Sequence, residues 1–251
     1  MSSSTAALPL MLKQLRLASI KENWQSMAAK AVKQQWSPQQ YLHELCLIEL
    51  NSREDKRLKR YLHESALPAG KRLNDYDFTA VKGVKPAQIN NLINERQWVS
   101  RGYNVMLFGA SGVGKTHLAS ALGYALIEHG VRVKFMPATL LVQQLQKAKA
   151  ELRLNDALNK LDRYAVLIVD DIGYVRKTEQ ESSVLFELIA HRYERGSLIV
   201  TSNQSFEDWD QLFDDTVMTV AAIDRLVHNA TIIHCEGDSY RRKTALKQMQ
   251  N

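Results

Sequence analysis

The sequence predicts an α/β fold, with a parallel sheet flanked by helices, preceded by a small domain built only of helices. From residue 103 onward, apolar runs of strand length alternate with amphipathic stretches of helical length, which is the pattern of a sheet covered on both faces. Before residue 68, apolar residues recur at spacings of three and four, and this period indicates helices. The break Leu67-Pro68-Ala69-Gly70 separates the two patterns. We therefore predict domains over 1–68 and 69–251.

The first domain is predicted to be a helical bundle with its aromatic residues in the core. One helix carries an apolar stripe at helical spacing, formed by Leu17, Ile20, Trp24, Met27 and Ala31. A second helix is expected to begin at Ser37-Pro38, because serine is a favoured N-cap and proline suits the first helical position. It ends in a charged run over 53–60, which is either a solvated face or a surface that contacts phosphates.

The second domain is predicted to contain five strands, each an apolar run of strand length. They lie at 103–108, 131–136, 165–169, 197–201 and 231–235. Helices are expected at 86–98, from 117 to a C-cap glycine at 130, at 138–162 and at 178–194. The third strand is apolar throughout, as expected of a central strand that is buried on both faces.

The composition is ordinary for a globular protein, but the charge is unevenly distributed. Of the 251 residues, 45% are hydrophobic and 24% are charged, and no apolar run approaches the about 20 residues of a membrane span. Residues 1–70 carry a net charge of +4 and residues 239–251 another +4, whereas the part between them carries −2. Positive charge at both ends favours a polyanionic partner such as nucleic acid, and a solvated basic face is the alternative.

The cysteines and the N-terminal residues favour a reducing compartment. Cys46 and Cys235 lie far apart in unlike settings, so we expect two buried thiols and no disulfide. The first residues lack the basic flank and long apolar core of a signal peptide. We therefore expect a cytoplasmic protein that has no contact with a membrane.

The chemistry is expected to centre on a glycine-rich loop between the first strand of the sheet and the next helix. Residues 109–116 fit G-x-x-x-x-G-K-[ST], the phosphate-binding P-loop. Such a loop turns successive backbone N–H groups toward a phosphate at the positive end of a helix. Lys115 is expected to reach the β and γ phosphates of ATP, and the Thr116 hydroxyl to bind Mg²⁺. The predicted nucleotide contacts are Gly109, Ala110, Ser111, Gly112, Val113, Gly114, Lys115, Thr116 and His117.

Two carboxylates follow the apolar strand at 165–169. Asp170 and Asp171 come at its C-terminal end, which is where open α/β sheets bind their ligands. Asp170 is predicted to hold Mg²⁺, directly or through water, and Asp171 to orient or deprotonate an attacking water. A solvated pair at a strand end is the alternative, and the upstream P-loop argues against it.

Two further polar residues are predicted to take part in hydrolysis. Asn203 follows the next strand, so its neutral amide could hold a water in line with the γ phosphate, although an asparagine there is often only a turn residue. Arg225 lies on a predicted helix. It is either a surface salt bridge or an arginine finger that a neighbouring subunit supplies to the phosphoryl group.

These elements, in this order, resemble the AAA+ ATPases, in particular the initiator and helicase-loader clade. In its sequence motifs the chain most resembles the IstB-like proteins, which are ATPases that assist bacterial insertion-sequence transposition. The helicase loader DnaC is related to that family. The segments that carry the resemblance are 12–17, 105–109, 167–173, 224–228 and 237–241. The P-loop alone is shared by many ATPases, whereas the combined set is much narrower.

Two departures from the AAA+ pattern affect the expected site. Asp171 stands where many AAA+ proteins have glutamate, so the carboxylate expected to act as the base is on a side chain that is one methylene shorter. Only 26 residues follow Arg225, too few for the separate helical lid of many relatives, and the lid is therefore predicted to be truncated or absent. Arg241 is the best substitute for the usual second sensor arginine, and we add it to the predicted nucleotide contacts.

The resemblance implies a Mg²⁺-dependent ATPase whose subunits assemble on DNA when they bind ATP. The homo-oligomer is expected to assist the transposase of the same element in target selection and transposition. A DnaC-like helicase loader is the nearest alternative. A small-molecule phosphotransferase is an alternative of another class, and it would need a second substrate pocket and an arginine-rich lid in the same subunit. A nucleotide-gated DNA clamp without catalysis is a third.

Duplex DNA is expected to be bound with little sequence preference, because the basic clusters contain few aromatic residues. The helical domain is expected to bind DNA or a partner. The resemblance implies that the region before the strand at 165–169 also faces DNA. The candidate DNA contacts are Arg53, Lys56, Arg57, Lys59, Arg60, Lys147, Lys149 and Arg153.

Overall fold

The computed structural model describes residues 3–174, 178–204, 216–240 and 242 of the chain. It divides into two compact units, Met1–Arg60 and Tyr61–Asn251. This division falls inside a long helix, Pro38–Ser65, whereas the break predicted after residue 68 follows that helix. Each unit has an apolar cluster of its own.

The first unit is helical, as the spacing of its apolar residues predicts. Its helices are α1 Ser3–Gln14, α2 Ala18–Lys33 and α3 Pro38–Ser65, the last of which runs on into the second unit. The Ser37 hydroxyl accepts a hydrogen bond from the Gln40 N–H at 3.1 Å, which confirms the predicted N-cap of α3. The core consists of Leu12, Ile20 and Leu45, with Leu8, Leu17, Trp24, Met27 and Tyr41 packed against it.

The N-terminus of α2 is capped from a distant helix. Its own N-cap residue, Leu17, has no side chain that can accept a hydrogen bond. Instead, the Glu49 carboxylate on α3 accepts from the N–H groups of Ser19 at 2.8 Å and Ile20 at 3.2 Å. Arg53 donates to the same carboxylate at 2.8 Å. A buried negative charge thus satisfies two N–H groups that the helix itself leaves unpaired.

The second unit contains the predicted parallel sheet. Its strands are β1 Asn104–Phe108, β2 Val133–Pro137, β3 Val166–Asp170, β4 Ser197–Ser202 and β5 Ala230–His234. Every strand lies within two residues of its predicted ends. All pairings are parallel, and the spatial order is β2-β3-β4-β1-β5. All five residues of β3 are buried, as predicted for a central strand.

Helices cover the sheet, and two of the predicted helical regions are broken. Their bounds are α4 Pro86–Asn94, α5 Gln97–Ser100, α6 Lys115–Glu128, α7 Ala138–Ala150, α8 Leu154–Leu161, α9 Glu179–Arg192 and α10 Thr216–Val227. The region 138–162 breaks at Leu152, which is 95% exposed and has a φ of +56°. Gly130 ends α6 with a φ of +77°, the left-handed conformation in which a glycine is favoured. No helix of the described residues has both the length and the apolar character needed to cross a membrane.

The two cysteines are free thiols in different settings. Cys46 is exposed, which corrects the expectation that both are buried, because it follows the core residue Leu45 and so points away from the cluster on α3. Cys235 is buried directly after β5. Burial raises the pKa of its thiol to about 11, although the Lys115 charge acts in the opposite direction.

Candidate nucleotide-binding site

The P-loop connects β1 to α6 and depends on its glycines. Gly109, Gly112 and Gly114 all have positive φ, at +148°, +87° and +103°. A Cβ on Gly109 would lie 2.1 Å from the Cys235 carbonyl oxygen, and one on Gly112 would lie 2.2 Å from the Ser239 hydroxyl. Both the backbone conformation and the close approach of the C-terminal segment therefore require glycine here. The loop delivers the chain to the N-terminus of α6, which begins at Lys115 and is a favourable position for a phosphate.

The Lys115 side chain lies within the loop and is only 4% exposed. Its ammonium group donates to the carbonyl oxygens of Gly109 at 2.7 Å and Ala110 at 2.9 Å. These carbonyl dipoles stabilise a buried cation at the place where the P-loop is expected to receive phosphates. Lys115, which is predicted to bind the phosphates, is therefore buried and held in place by backbone carbonyl groups of the loop.

The predicted magnesium ligands lie together. Asp170 ends β3 and is 8% exposed, and Thr116, on the first turn of α6, lies close enough to its carboxyl to lower the pKa of that group. Burial raises the pKa of the Asp170 carboxyl and the Asp171 charge adds to this, while hydrogen bonds from Thr201 and Thr116 lower it. A carboxylate and a hydroxyl fit Mg²⁺, which takes few protein ligands when a nucleotide supplies phosphate oxygens. Within the described ranges, no three His, Cys, Asp or Glu side chains cluster as a metal cage would require.

Asp171 turns the chain away from the sheet. Its φ is +56°, a left-handed conformation that few residues other than glycine adopt. Its N–H donates to the Thr201 hydroxyl at 2.8 Å, and the same hydroxyl donates to Asp170 Oδ1 at 2.8 Å. Asp171 is half-buried and lines the same cavity as the P-loop, which is where a base for water would have to lie.

Asn203 follows β4, the strand between β1 and β3. Its amide packs against the backbone of the acidic segment, since a Cβ on Gly173 would lie 2.3 Å from Asn203 Oδ1. Among the described residues, this buried oxygen has no hydrogen-bond partner. A buried acceptor without a partner is uncommon in proteins, and this one lies beside the segment that carries the two carboxylates.

A cavity of about 620 Å³ opens beside the P-loop, within the about 300–1,000 Å³ usual for ligand sites. Its walls are residues 69–71, 75–77 and 80–81, the P-loop with the start of α6, and the side chains Asp171, Asp238 and Tyr240. The segment before β1 thus forms one part of the wall, and Asp238 and Tyr240, which were not predicted as site residues, form another.

Tyr76 is the aromatic residue that closes this cavity at the P-loop. It is 7% exposed, and its ring packs edge-on against Phe78 and His117 at 4.9 and 5.3 Å between centroids. A Cβ on Gly114 would lie 3.3 Å from this ring. The Tyr76 hydroxyl is buried, and no hydrogen-bond partner for it occurs in the described part of the chain. Tyr76 is not among the residues that the sequence predicted for the site.

Arg225, one of the two arginines predicted for the site, is not among the described residues that line the cavity. The Arg225 guanidinium donates to the Ala221 carbonyl oxygen at 2.8 Å and lies 5.5 Å from the centre of the Phe186 ring. It belongs to α10 and is partly buried. The structure does not bring it to the P-loop of the same chain. Arg241 lies outside the described residues.

Several predicted DNA contacts already hold partners within the chain. Arg53 binds Glu49 and the Arg16 carbonyl oxygen, the latter at 2.7 Å, so it braces the cap of α2. Three others form surface ion pairs, which are Arg57 with Glu54, Lys149 with Glu187, and Arg153 with Glu151. Exposed pairs of this kind are weak and can be exchanged for a phosphate. Lys56, Lys59, Arg60 and Lys147 are also exposed, and contact of any of these candidates with DNA stays a prediction.

Comparison with known sequences identifies the family. The profile of the IstB-like ATP-binding proteins matches residues 10–248. An insertion-sequence ATP-binding protein of Sinorhizobium fredii is 46% identical over 242 residues, which cover 96% of this chain and 81% of that protein. The ATP-binding protein of insertion sequence IS21 from Pseudomonas aeruginosa is 38% identical over 240 residues, which cover 96% of this chain and 90% of that protein.

Solved structures agree on the fold. The DnaC helicase loader superposes with a TM-score of 0.52 at 22% identity, covering 71% of this chain and 99% of that one. AMPPCP-bound DnaA from Aquifex aeolicus superposes with a TM-score of 0.53 at 19% identity, covering 74% and 56%. The chain therefore belongs to the IstB-like ATP-binding protein family, and its second unit has the AAA+ P-loop fold.

Proposed function

We propose that this protein is a Mg²⁺-dependent ATPase that assembles on DNA and assists the transposase of an insertion sequence. The observation that carries the ATPase half is the convergence of three strand ends on one site. The P-loop follows β1, Asp170 ends β3 with Asp171 next to it, and Asn203 follows β4. The phosphate-binding groups, the magnesium ligands and the groups that handle water are thus neighbours.

Each residue has a distinct part in the proposed reaction. The N–H groups of the P-loop and Lys115 bind the phosphates and neutralise their charge. Thr116 and Asp170 hold Mg²⁺, which when bound polarises the phosphoryl oxygens. Asp171 accepts a proton from the attacking water while the Asn203 amide orients that water. Arg225 from a neighbouring subunit stabilises charge on the transferring group.

The transposition half rests on the family and on charge. Two relatives of high coverage are named as insertion-sequence ATP-binding proteins, and we extend that association to this chain. The net charge of +6, concentrated toward both ends, suits a duplex DNA partner. Hydrolysis converts ATP and water to ADP and phosphate, and its output in this proposal is a change in how subunits are arranged on DNA.

Two variants test the ATPase assignment. We expect Lys115→Ala to lose nucleotide affinity or turnover by at least about tenfold, because the charge that faces the phosphates is gone. Asp171→Asn should retain ATP and lose hydrolysis. Nucleotide binding by calorimetry and phosphate release with and without duplex DNA are the measurements. Lys85→Ala, an exposed lysine on the same unit, is the control. Wild-type behaviour of Lys115→Ala would contradict the site.

The partner is tested separately. Capture of the transposase of the same element by the ATP-bound protein supports the proposal, whereas selective capture of the replicative helicase would indicate a loader. Phosphate transfer from ATP to a small molecule, with none released to water, would indicate a phosphotransferase instead.

A further inference from the structure

One buried hydroxyl contacts both catalytic aspartates. Thr201 lies in β4 and is fully buried. Val169 of β3 pairs with Val200 of β4, so Thr201 comes next along the strand, beside Asp170. Its hydroxyl donates to Asp170 Oδ1 and accepts from the Asp171 N–H, each at 2.8 Å. The single hydroxyl hydrogen of Thr201 is therefore committed to one aspartate and an oxygen lone pair to the other.

The hydrogen bond from Thr201 orients the Asp170 carboxylate, which is largely buried from water. A buried carboxylate needs hydrogen bonds to remain charged, and its orientation decides whether a metal is held in the right geometry. In known metal sites, groups that hydrogen-bond to a ligating carboxylate orient it, and their removal lowers metal affinity by about 10–100-fold. Thr201 stands in that relation to Asp170.

The bond to Asp171 fixes a turn. The left-handed backbone at Asp171 takes the chain out of the β3 ladder, so its N–H needs a partner from outside the ladder. The Thr201 hydroxyl supplies that partner. This contact holds the conformation in which Asp171 lines the cavity.

We propose that Thr201 is a positioning residue for hydrolysis. It aligns Asp170 toward the metal and Asp171 toward water, and it touches neither the metal nor the water itself. This inference rests on the proposed ATPase function. A threonine in a strand is ordinary, since β-branched residues favour strands, and sequence analysis gave Thr201 no role. The Thr201 hydroxyl joins the two aspartates, because it donates to the Asp170 carboxylate and accepts from the Asp171 N–H.

The test compares Thr201→Val, which keeps the shape and removes the hydroxyl, with Thr201→Ser, which keeps the hydroxyl. Ser197→Ala is the matched control, because Ser197 is a fully buried hydroxyl on the same strand at the end away from the aspartates. For Thr201→Val we expect turnover to fall at least about tenfold. The Mg²⁺ concentration for half-maximal rate should rise several-fold, while nucleotide affinity without Mg²⁺ stays within about twofold.

Thr201→Ser should recover most of the turnover and the wild-type Mg²⁺ dependence, and Ser197→Ala should keep both. Equal turnover and Mg²⁺ dependence in Thr201→Val and wild type would overturn the inference. So would losses shared by Ser197→Ala, since they would reflect stability alone. If Thr201→Val does not fold, Thr201→Cys replaces it, because a thiol is a much weaker hydrogen-bonding group.

The failure of this inference can be told from failure of the ATPase proposal. If the wild-type protein hydrolyses no ATP, with or without DNA, the ATPase proposal fails. The gain in nucleotide affinity that Mg²⁺ produces then decides the role of Thr201 toward Asp170. A smaller gain in Thr201→Val than in wild type and Thr201→Ser supports it, and an equal gain contradicts it.

Discussion

A single missing carbon at Gly173 makes room for the Asn203 amide. The chain thereby brings a side chain from the end of β4 against the turn that follows β3. The φ of Gly173 is not positive, so its backbone conformation does not require glycine. Glycine is needed there because the Asn203 side chain occupies the space of a Cβ. The side chains here are so closely packed that a methyl group added at Gly173 would displace the Asn203 amide.

Gly173→Ala should therefore impair hydrolysis more than folding. The new Cβ would clash with Asn203 Oδ1 at 2.3 Å and make an ordinary contact with Gln204 Cδ at 3.5 Å. The end of the Asn203 side chain can rotate away at small cost to stability. We expect turnover to drop about tenfold or more, with ATP affinity and melting temperature close to wild type. Asn203→Ala is the matched variant and should give the same profile. Full activity in Gly173→Ala would mean that the position of the Asn203 amide does not matter.

At the scale of elements, α2 depends on α3 for its cap. Glu49 supplies the acceptor that Leu17 lacks, and Arg53 holds Glu49 in place. Burial by itself would raise the pKa of Glu49, but hydrogen bonds from Arg53 and from the N–H groups of Ile20 and Ser19 outweigh it, and the pKa is lowered. The charged form of Glu49 is therefore favoured by the folded state.

This cap predicts an acid-sensitive first unit. Because the folded-state pKa of Glu49 is below the unfolded value of about 4.3, its contribution is complete above that pH and is lost as the pH falls through the folded value. Glu49→Gln should cost about 1–2 kcal/mol of stability at pH 6, and the difference should shrink toward pH 3. Thermal unfolding followed across this range is the measurement. Glu54→Gln, an exposed acid on the same helix, should show little difference at any pH.

At the scale of the whole molecule, the position of Arg225 bears on whether neighbouring subunits share the proposed site. Arg225 is held by Ala221 and Phe186 of its own chain and is not part of the cavity wall. An arginine supplied by a neighbouring subunit would complete the site only in an assembly. The same assembly would multiply the number of contacts to DNA.

Mixing two inactive variants tests whether Arg225 acts between subunits. Arg225→Ala should bind ATP normally and hydrolyse it slowly. When it is mixed with Lys115→Ala, some activity should return, because some interfaces then pair an intact P-loop with an intact arginine. Lys115→Ala mixed with Asp171→Asn is the control and should not recover, since both residues serve the same subunit's site. Absence of recovery in a demonstrated mixed oligomer would indicate a structural arginine.

DNA binding should weaken steeply with salt and depend little on sequence. The expected slope of log affinity against log salt is about −0.9 per phosphate neutralised, and ATP should steepen it by adding subunits. Lys56→Ala and Lys59→Ala should lower affinity about equally on unrelated duplexes, whereas Lys85→Ala, outside the basic clusters, should not. A flat salt response with a non-hydrolysable ATP analogue would refute the nucleic-acid half of the proposal.

The amino-acid sequence was sufficient to predict the order of the elements and the place of the glycine-rich loop between β1 and α6. Strand runs, helical periods and the P-loop are local patterns, so the five strands and this loop could be read from neighbouring residues. The tertiary structure decided which distant residues complete the site. Tyr76, Asp238 and Tyr240 line the cavity, Thr201 bridges the aspartates, and Glu49 caps α2 from another helix. Such contacts join positions far apart in the chain, and only the packing of strands and helices brings them within hydrogen-bonding distance.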